Sequence, residues 1–87
     1  MRKLKKYEIK LLMFCQKYGY VYIARDNDEN IWAFKSKPPK SKKFGVWCNV
    51  GTHYDLVCLK KHRLEGIVTW EDEEPTLIAE LLKEDKQ

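Results

Sequence analysis

Residues 20–39, "YVYIARDNDENIWAFKSKPP", constrain this chain more than any other stretch. Two runs rich in Tyr, Val, Ile, Trp and Phe flank the polar cluster "DNDEN", and Pro38 and Pro39 close the second run. β-branched and aromatic residues suit a pleated, half-buried surface, and Asp and Asn supply turn chemistry. The segment therefore predicts an antiparallel hairpin turning across Asp26 to Asn30. A side-chain period of two gives it two faces. Tyr20, Tyr22 and Ala24 share one and Val21, Ile23 and Arg25 the other; on the return strand Trp32 and Phe34 oppose Ile31, Ala33 and Lys35. A hairpin this apolar needs more strands beside it and something to cover it.

The flanking segments supply both. Leu4, Tyr7, Leu11, Phe14, Cys15 and Tyr18 recur at three and four, which predicts an amphipathic helix over residues 3–18 ended by Gly19. "FGVWCNV" (44–50) and "DLVCL" (55–59) read as a second strand pair around "GTHY", and "GIVTW" (66–70) as a fifth strand before the acidic turn "EDEEP". In "PTLIAELLKED" Leu77, Ile78, Leu81 and Leu82 share a helical face with Pro75 in the first turn, a strand over 76–84 being the competing reading. "KSKPPKSKK" reads as an exposed basic loop. The predicted fold is a single α+β domain over residues 1–87: an N-terminal helix, an antiparallel sheet of four or five strands and a short C-terminal helix.

Composition agrees with a folded chain. Of 87 residues, 44% are hydrophobic and 13% aromatic, too much apolar material for a disordered tail. No apolar run reaches the roughly 18 residues of a membrane span. The N-terminus has no signal-peptide core or cleavage site, and an odd count of three cysteines fits a reducing compartment, so the sequence predicts a cytoplasmic protein with no membrane association.

"CNVGTHYDLVC" (48–58) carries the last three ligands of a C-x2-C-x4-H-x4-C zinc knuckle. Gly45 stands where the first cysteine belongs, and three ligands do not close a structural zinc site. His62 with Cys48, His53 and Cys58 would make a set of four, in no established motif. The simpler reading places both thiols in apolar strand patterns as small buried hydrophobes, which predicts no metal and no cofactor. Catalytic motifs are equally lacking. There is no nucleophile elbow, phosphate-cradling glycine loop or H-E-x-x-H, and nothing orients a Cys/His pair, so a non-enzymatic role is expected.

Charge is distributed unevenly. Residues 1–63 hold 15 Lys or Arg against 5 Asp or Glu, and residues 64–87 hold 2 against 8. A basic region of this size attracts nucleic acid or an acidic protein surface. Two functions follow. A protein-binding module would use the basic loop, Lys37, Lys40, Lys42 and Lys43, with Trp47 and Trp70, since Trp is enriched at interface hot spots. The leucine-rich C-terminal segment invites a homodimer. A nucleic-acid-binding module would instead stack bases on Tyr20, Tyr22, Trp32 and Phe34, with Arg25 and Lys35 on phosphates. Burial of those aromatics in the core is the competing structural reading.

The Y-x-A-R-D strand, the acidic turn, the basic Pro loop and the later "VTWEDEEPT" resemble a group of small uncharacterised proteins of Gram-positive phages and prophages. The resemblance spans about Tyr20 to Thr76; the N-terminal helix and the tail from Leu77 depart from it. It implies genomic context: small phage proteins that act by stoichiometric contact with a host or phage protein, some of them inhibiting defence or replication. It carries no catalytic residue onto this chain.

Overall fold

A computed structural model describes residues 2–48 and 56–85. In chain order these form α1 (Lys6–Lys17), β1 (Tyr22–Arg25), β2 (Ile31–Phe34), β3 (Lys40–Ser41), β4 (Val46–Trp47), β5 (Leu56–Leu59), β6 (Thr76–Leu77) and α2 (Ile78–Asp85). The layout is the α+β arrangement expected, with an N-terminal helix, a four-stranded antiparallel sheet and a short C-terminal helix. Its strand order is β5-β2-β1-β6, and β3 and β4 make a separate two-stranded ribbon.

The central hairpin forms as its composition dictates. Tyr22 pairs with Phe34, Ile23 with Ala33, Ala24 with Trp32 and Arg25 with Ile31. Each strand therefore sends one set of side chains to each face. Ile23, Ile31 and Ala33 face both helices and join Leu12, Cys15, Ile78, Leu81 and Leu82 in the main core. Ala24 and Phe34 face the other way, where Trp47 of the ribbon covers them.

Helix α1 is present but rotated from the expected face. Glu8, Leu12 and Cys15 are its buried positions, whereas Tyr7, Phe14 and Tyr18 are exposed. A pattern rule places glutamate outward; here full pairing makes its burial affordable. Arg2 clamps the Glu8 carboxylate through Nη1 at 2.7 Å and Nη2 at 2.6 Å, and the Lys5 N–H donates to Oε1 at 2.7 Å. The helix ends, as expected, where Gly19 takes a left-handed φ of 89°.

Further expectations are corrected. Residues 66–70 are no strand: Ile67 and Val68 donate back to the Leu64 carbonyl in a turn that drops Leu64, Ile67 and Val68 into the main core. Burial alone made that run look β-like, and a short apolar run is ambiguous in period. Of the two segments around "GTHY", residues 49–55 lie outside the described residues; among the described ones β4 pairs with β3, and β5 pairs with β2 across Ile31↔Leu59 to Phe34↔Leu56. The fourth strand is Thr76–Leu77, paired with β1, so Leu77 leaves the helical face and is exposed. The basic loop is not wholly solvated: Pro38 is buried, and Lys40–Ser41 is a strand.

Candidate functional site

Three places concentrate distinctive side chains. The first is a tryptophan layer on the ribbon side of the sheet. Asp26, at the end of β1, accepts from the Trp47 backbone N–H at 2.9 Å through Oδ1 and from Trp32 Nε1 at 3.1 Å through Oδ2. The Trp47 indole donates to the Arg25 carbonyl at 3.0 Å and meets Trp70 edge to face, centroids 6.4 Å apart. Lys40 seals the layer: its Nζ lies 4.3 Å from the Trp70 ring centroid and donates to the carbonyls of Trp70 at 2.5 Å and Asp72 at 2.9 Å. Burial raises the Asp26 carboxyl above its ordinary value, against the Trp47 and Trp32 hydrogen bonds that favour its charge.

The second is the Arg25 clasp. The residue is 4% exposed, and among the described residues its guanidinium makes no ion pair with a carboxylate. It donates from Nε to the Val68 carbonyl at 2.7 Å, from Nη1 to Glu29 at 2.9 Å and Lys61 at 2.6 Å, and from Nη2 to the Arg63 carbonyl. One planar fork thus gathers the connection that carries the chain from β5 at one edge to β6 at the other.

The third was not foreseen. Between α1 and β5 lies a mostly apolar groove of about 290 Å³, lined by Leu11, Val57 and Leu59 together with the rings of Phe14, Tyr18 and Tyr20. Phe14 and Tyr18 are 60% and 55% exposed and pack on each other, centroids 4.7 Å apart. Lys35 also lines the groove, its Nζ 5.3 Å from the Tyr20 centroid, and among the described residues no acidic side chain does. The only sequence signal for it was an excess: Tyr7, Leu11, Phe14 and Tyr18 offered more apolar surface than one face of a short helix needs.

The residues singled out from sequence scatter among these places. Trp47 is 5% exposed and Trp70 half-buried, and Lys40 is committed to the layer they form. Lys42 and Lys43 remain exposed in the ribbon turn, while Lys37 pairs with Glu74 at 3.1 Å on the surface. The acidic turn thus folds against the basic loop: Lys37, Lys40, Glu73 and Glu74 line one cleft. The aromatic hairpin set divides. Phe34 is buried, Tyr22 and Trp32 are half-buried around the tryptophan layer, and Tyr20 lies on the opposite side in the groove. Arg25 is occupied by carbonyls, and Lys35 is exposed.

The cysteines also divide. Cys15 is buried, which raises its thiol above the ordinary value. Cys48 is half-buried and Cys58 exposed, against the expectation of burial. Cys58 sits opposite Trp32 on an edge strand, while the ribbon packs over β1 rather than β5. His53 lies outside the described residues; among the described residues no three His, Cys, Asp or Glu side chains are grouped to hold a metal ion. Among them, too, no helix is long and apolar enough to cross a membrane. Comparison of the chain with protein-family models, curated proteins and solved structures finds no match.

Proposed function

We propose that this is a non-enzymatic binding module that acts by stoichiometric contact with another protein, and that its contact surface is the groove between α1 and β5. One observation carries the reading. Phe14 and Tyr18 stand more than half exposed and line one concave groove with Leu11, Val57 and Leu59, whereas Phe34 and Trp47 are buried. Concave apolar surface edged by aromatic rings and a few polar groups is what protein anchor side chains fill, and exposed patches of this kind mark interaction sites. The resemblance over residues 20–76 points to a host or phage protein as the partner. Trp47, Lys40 and Arg25, already spent on internal contacts, support the fold beneath that surface.

Tagged protein and its Phe14→Ser and Tyr18→Ser variants, passed through a Gram-positive lysate with and without nuclease, test the reading. The expected result is one nuclease-resistant protein near equal stoichiometry, lost from both variants. Recovery that disappears with nuclease, or that is indifferent to the two substitutions, would sink it.

A further inference from the structure

We infer that the corner enclosed by Trp47, Trp70 and the carbonyls of Trp70 and Asp72 is a binding site for a primary alkylammonium, the end of a lysine side chain on a partner, which Lys40 fills in cis. The molecule itself shows the class of ligand, because it holds one example. Lys40 Nζ lies 4.3 Å from the Trp70 ring centroid and 5.5 Å from that of Trp47, and donates to the Trp70 carbonyl at 2.5 Å and the Asp72 carbonyl at 2.9 Å. Aromatic faces attract a cation, indole most strongly. The two carbonyls add a selection of their own. They require N–H donors, which a primary ammonium has and a quaternary one lacks. The corner lies on the ribbon side of the sheet, opposite the face that Tyr20 and α1 cover, so this inference and the groove reading stand or fall separately.

Two observations separate this corner from a lysine that only completes the fold. The ribbon is fastened without Lys40: Trp47 donates from its backbone N–H to Asp26 and from its indole to the Arg25 carbonyl, and the Asn27 N–H donates to the Gly45 carbonyl. Withdrawal of the Lys40 side chain therefore leaves the Trp47 ring in place. A cleft of about 340 Å³ also adjoins the corner, lined by Lys40 and Trp47, by the rigid pair Pro38 and Pro39, and by Lys37, Glu73 and Glu74. Glu74 is paired with Lys37 at 3.1 Å, and Glu73 is exposed. With Lys40 withdrawn, this lining holds two carboxylates against one ammonium, so an entering cation meets net negative charge. The incoming lysine then takes over the two carbonyls and the Trp70 face that Lys40 gives up.

The test uses the full chain and its Lys40→Ala variant, with N-acetyl-lysine methylamide as the probe and the indole N–H resonances of Trp47 and Trp70 as the readout. Sodium chloride and tetramethylammonium chloride at equal concentration are the comparisons. Lys40→Ala should bind the probe with a Kd on the order of millimolar, and the parent about tenfold more weakly, because its tethered ammonium competes at a high effective concentration. Tetramethylammonium, which offers no N–H, should bind the variant at least about tenfold more weakly than the probe does. Adding Trp70→Leu to Lys40→Ala should abolish binding. Where Lys40→Ala lowers the Tm, the probe should raise it beyond the effect of equal sodium chloride, so thermal melts give the same reading. No shift of either indole in the variant at about 100 mM probe overturns the inference. No shift in the parent at that concentration does so too, since Lys40 is then a fixed part of the fold. Equal affinity in parent and variant, tetramethylammonium bound as tightly as the probe, or binding that survives the loss of Trp70 would each have the same consequence.

Discussion

At the residue scale, two buried charges organise the chain in different ways. Arg25 makes no ion pair among the described residues; its guanidinium donates to four backbone carbonyls, which come from the turn and from the β5–β6 connection. Lysine keeps the charge but offers a point donor in place of a fork. Arg25→Lys should therefore cost about 3 kcal/mol in urea denaturation, since several carbonyls lose their partner at once. Glu8 is the opposite case, an acid whose charge is favoured: its Arg2 hydrogen bonds hold the carboxyl down to about 2 from an ordinary 4.5. A depressed acid stabilises the fold above its unfolded value and ceases to as pH falls through the folded one. Glu8→Gln should then lose about 2 kcal/mol at neutral pH. That gap should close between pH 4.5 and about 2 in parallel denaturation series. Asp26, raised by burial, pulls total stability the other way over the acid range. It is common to both proteins and cancels in their difference.

At the element scale, the β1–β2 hairpin is the part most legible in the sequence, because strand propensity, alternation and turn chemistry all agree there. The ribbon of β3 and β4 is the least legible. Each strand has two residues, and beside the Trp47 contacts to Asp26 and Arg25 its place uses one close approach: the Asn27 N–H donates to the Gly45 carbonyl at 2.9 Å, and Gly45 has a φ of 69°. A Cβ at Gly45 would lie 3.1 Å from the Asn27 Cβ. Gly45→Ala should thus destabilise the chain by more than about 1 kcal/mol, read as a lowered Tm, and should shift the Trp47 fluorescence as the ribbon lifts. α1 was legible as a helix and not in its facing. The stripe that packs, Glu8, Leu12 and Cys15, contains a charge that a periodicity count assigns to solvent.

At the scale of the whole molecule, the sheet is covered twice, by helices on one face and by the tryptophan ribbon on the other. The two coverings separate supporting aromatics from exposed ones. Trp47→Ala removes the centre of the second layer and should cost about 4 kcal/mol, a large part of what a chain of this size has to lose. Phe14→Ser, at a position more than half exposed, should stay within about 0.5 kcal/mol of the parent and reduce binding of a hydrophobic dye. Equal losses from the two substitutions in thermal melts would mean that Phe14 belongs to the core. The C-terminal leucines change standing at this scale. Ile78, Leu81 and Leu82 are spent in the main core, and Leu77 alone of the four is exposed.

The sequence by itself determined the α+β class, the hairpin and the two faces of its paired residues, the end of α1 at Gly19 and the charge division between the two parts of the chain. Those features depend on neighbours in sequence, where period, turn chemistry and propensity act. Only the tertiary structure decided that the Trp47 ribbon covers the aromatic face, that Arg25 and Lys40 point inward to carbonyls, and that Phe14 and Tyr18 stay outside beside the groove next to β5. The physical reason is common to all three: which of several apolar surfaces is buried depends on what the rest of the chain brings against it. A buried charge is tolerated only where partners distant in sequence converge on it.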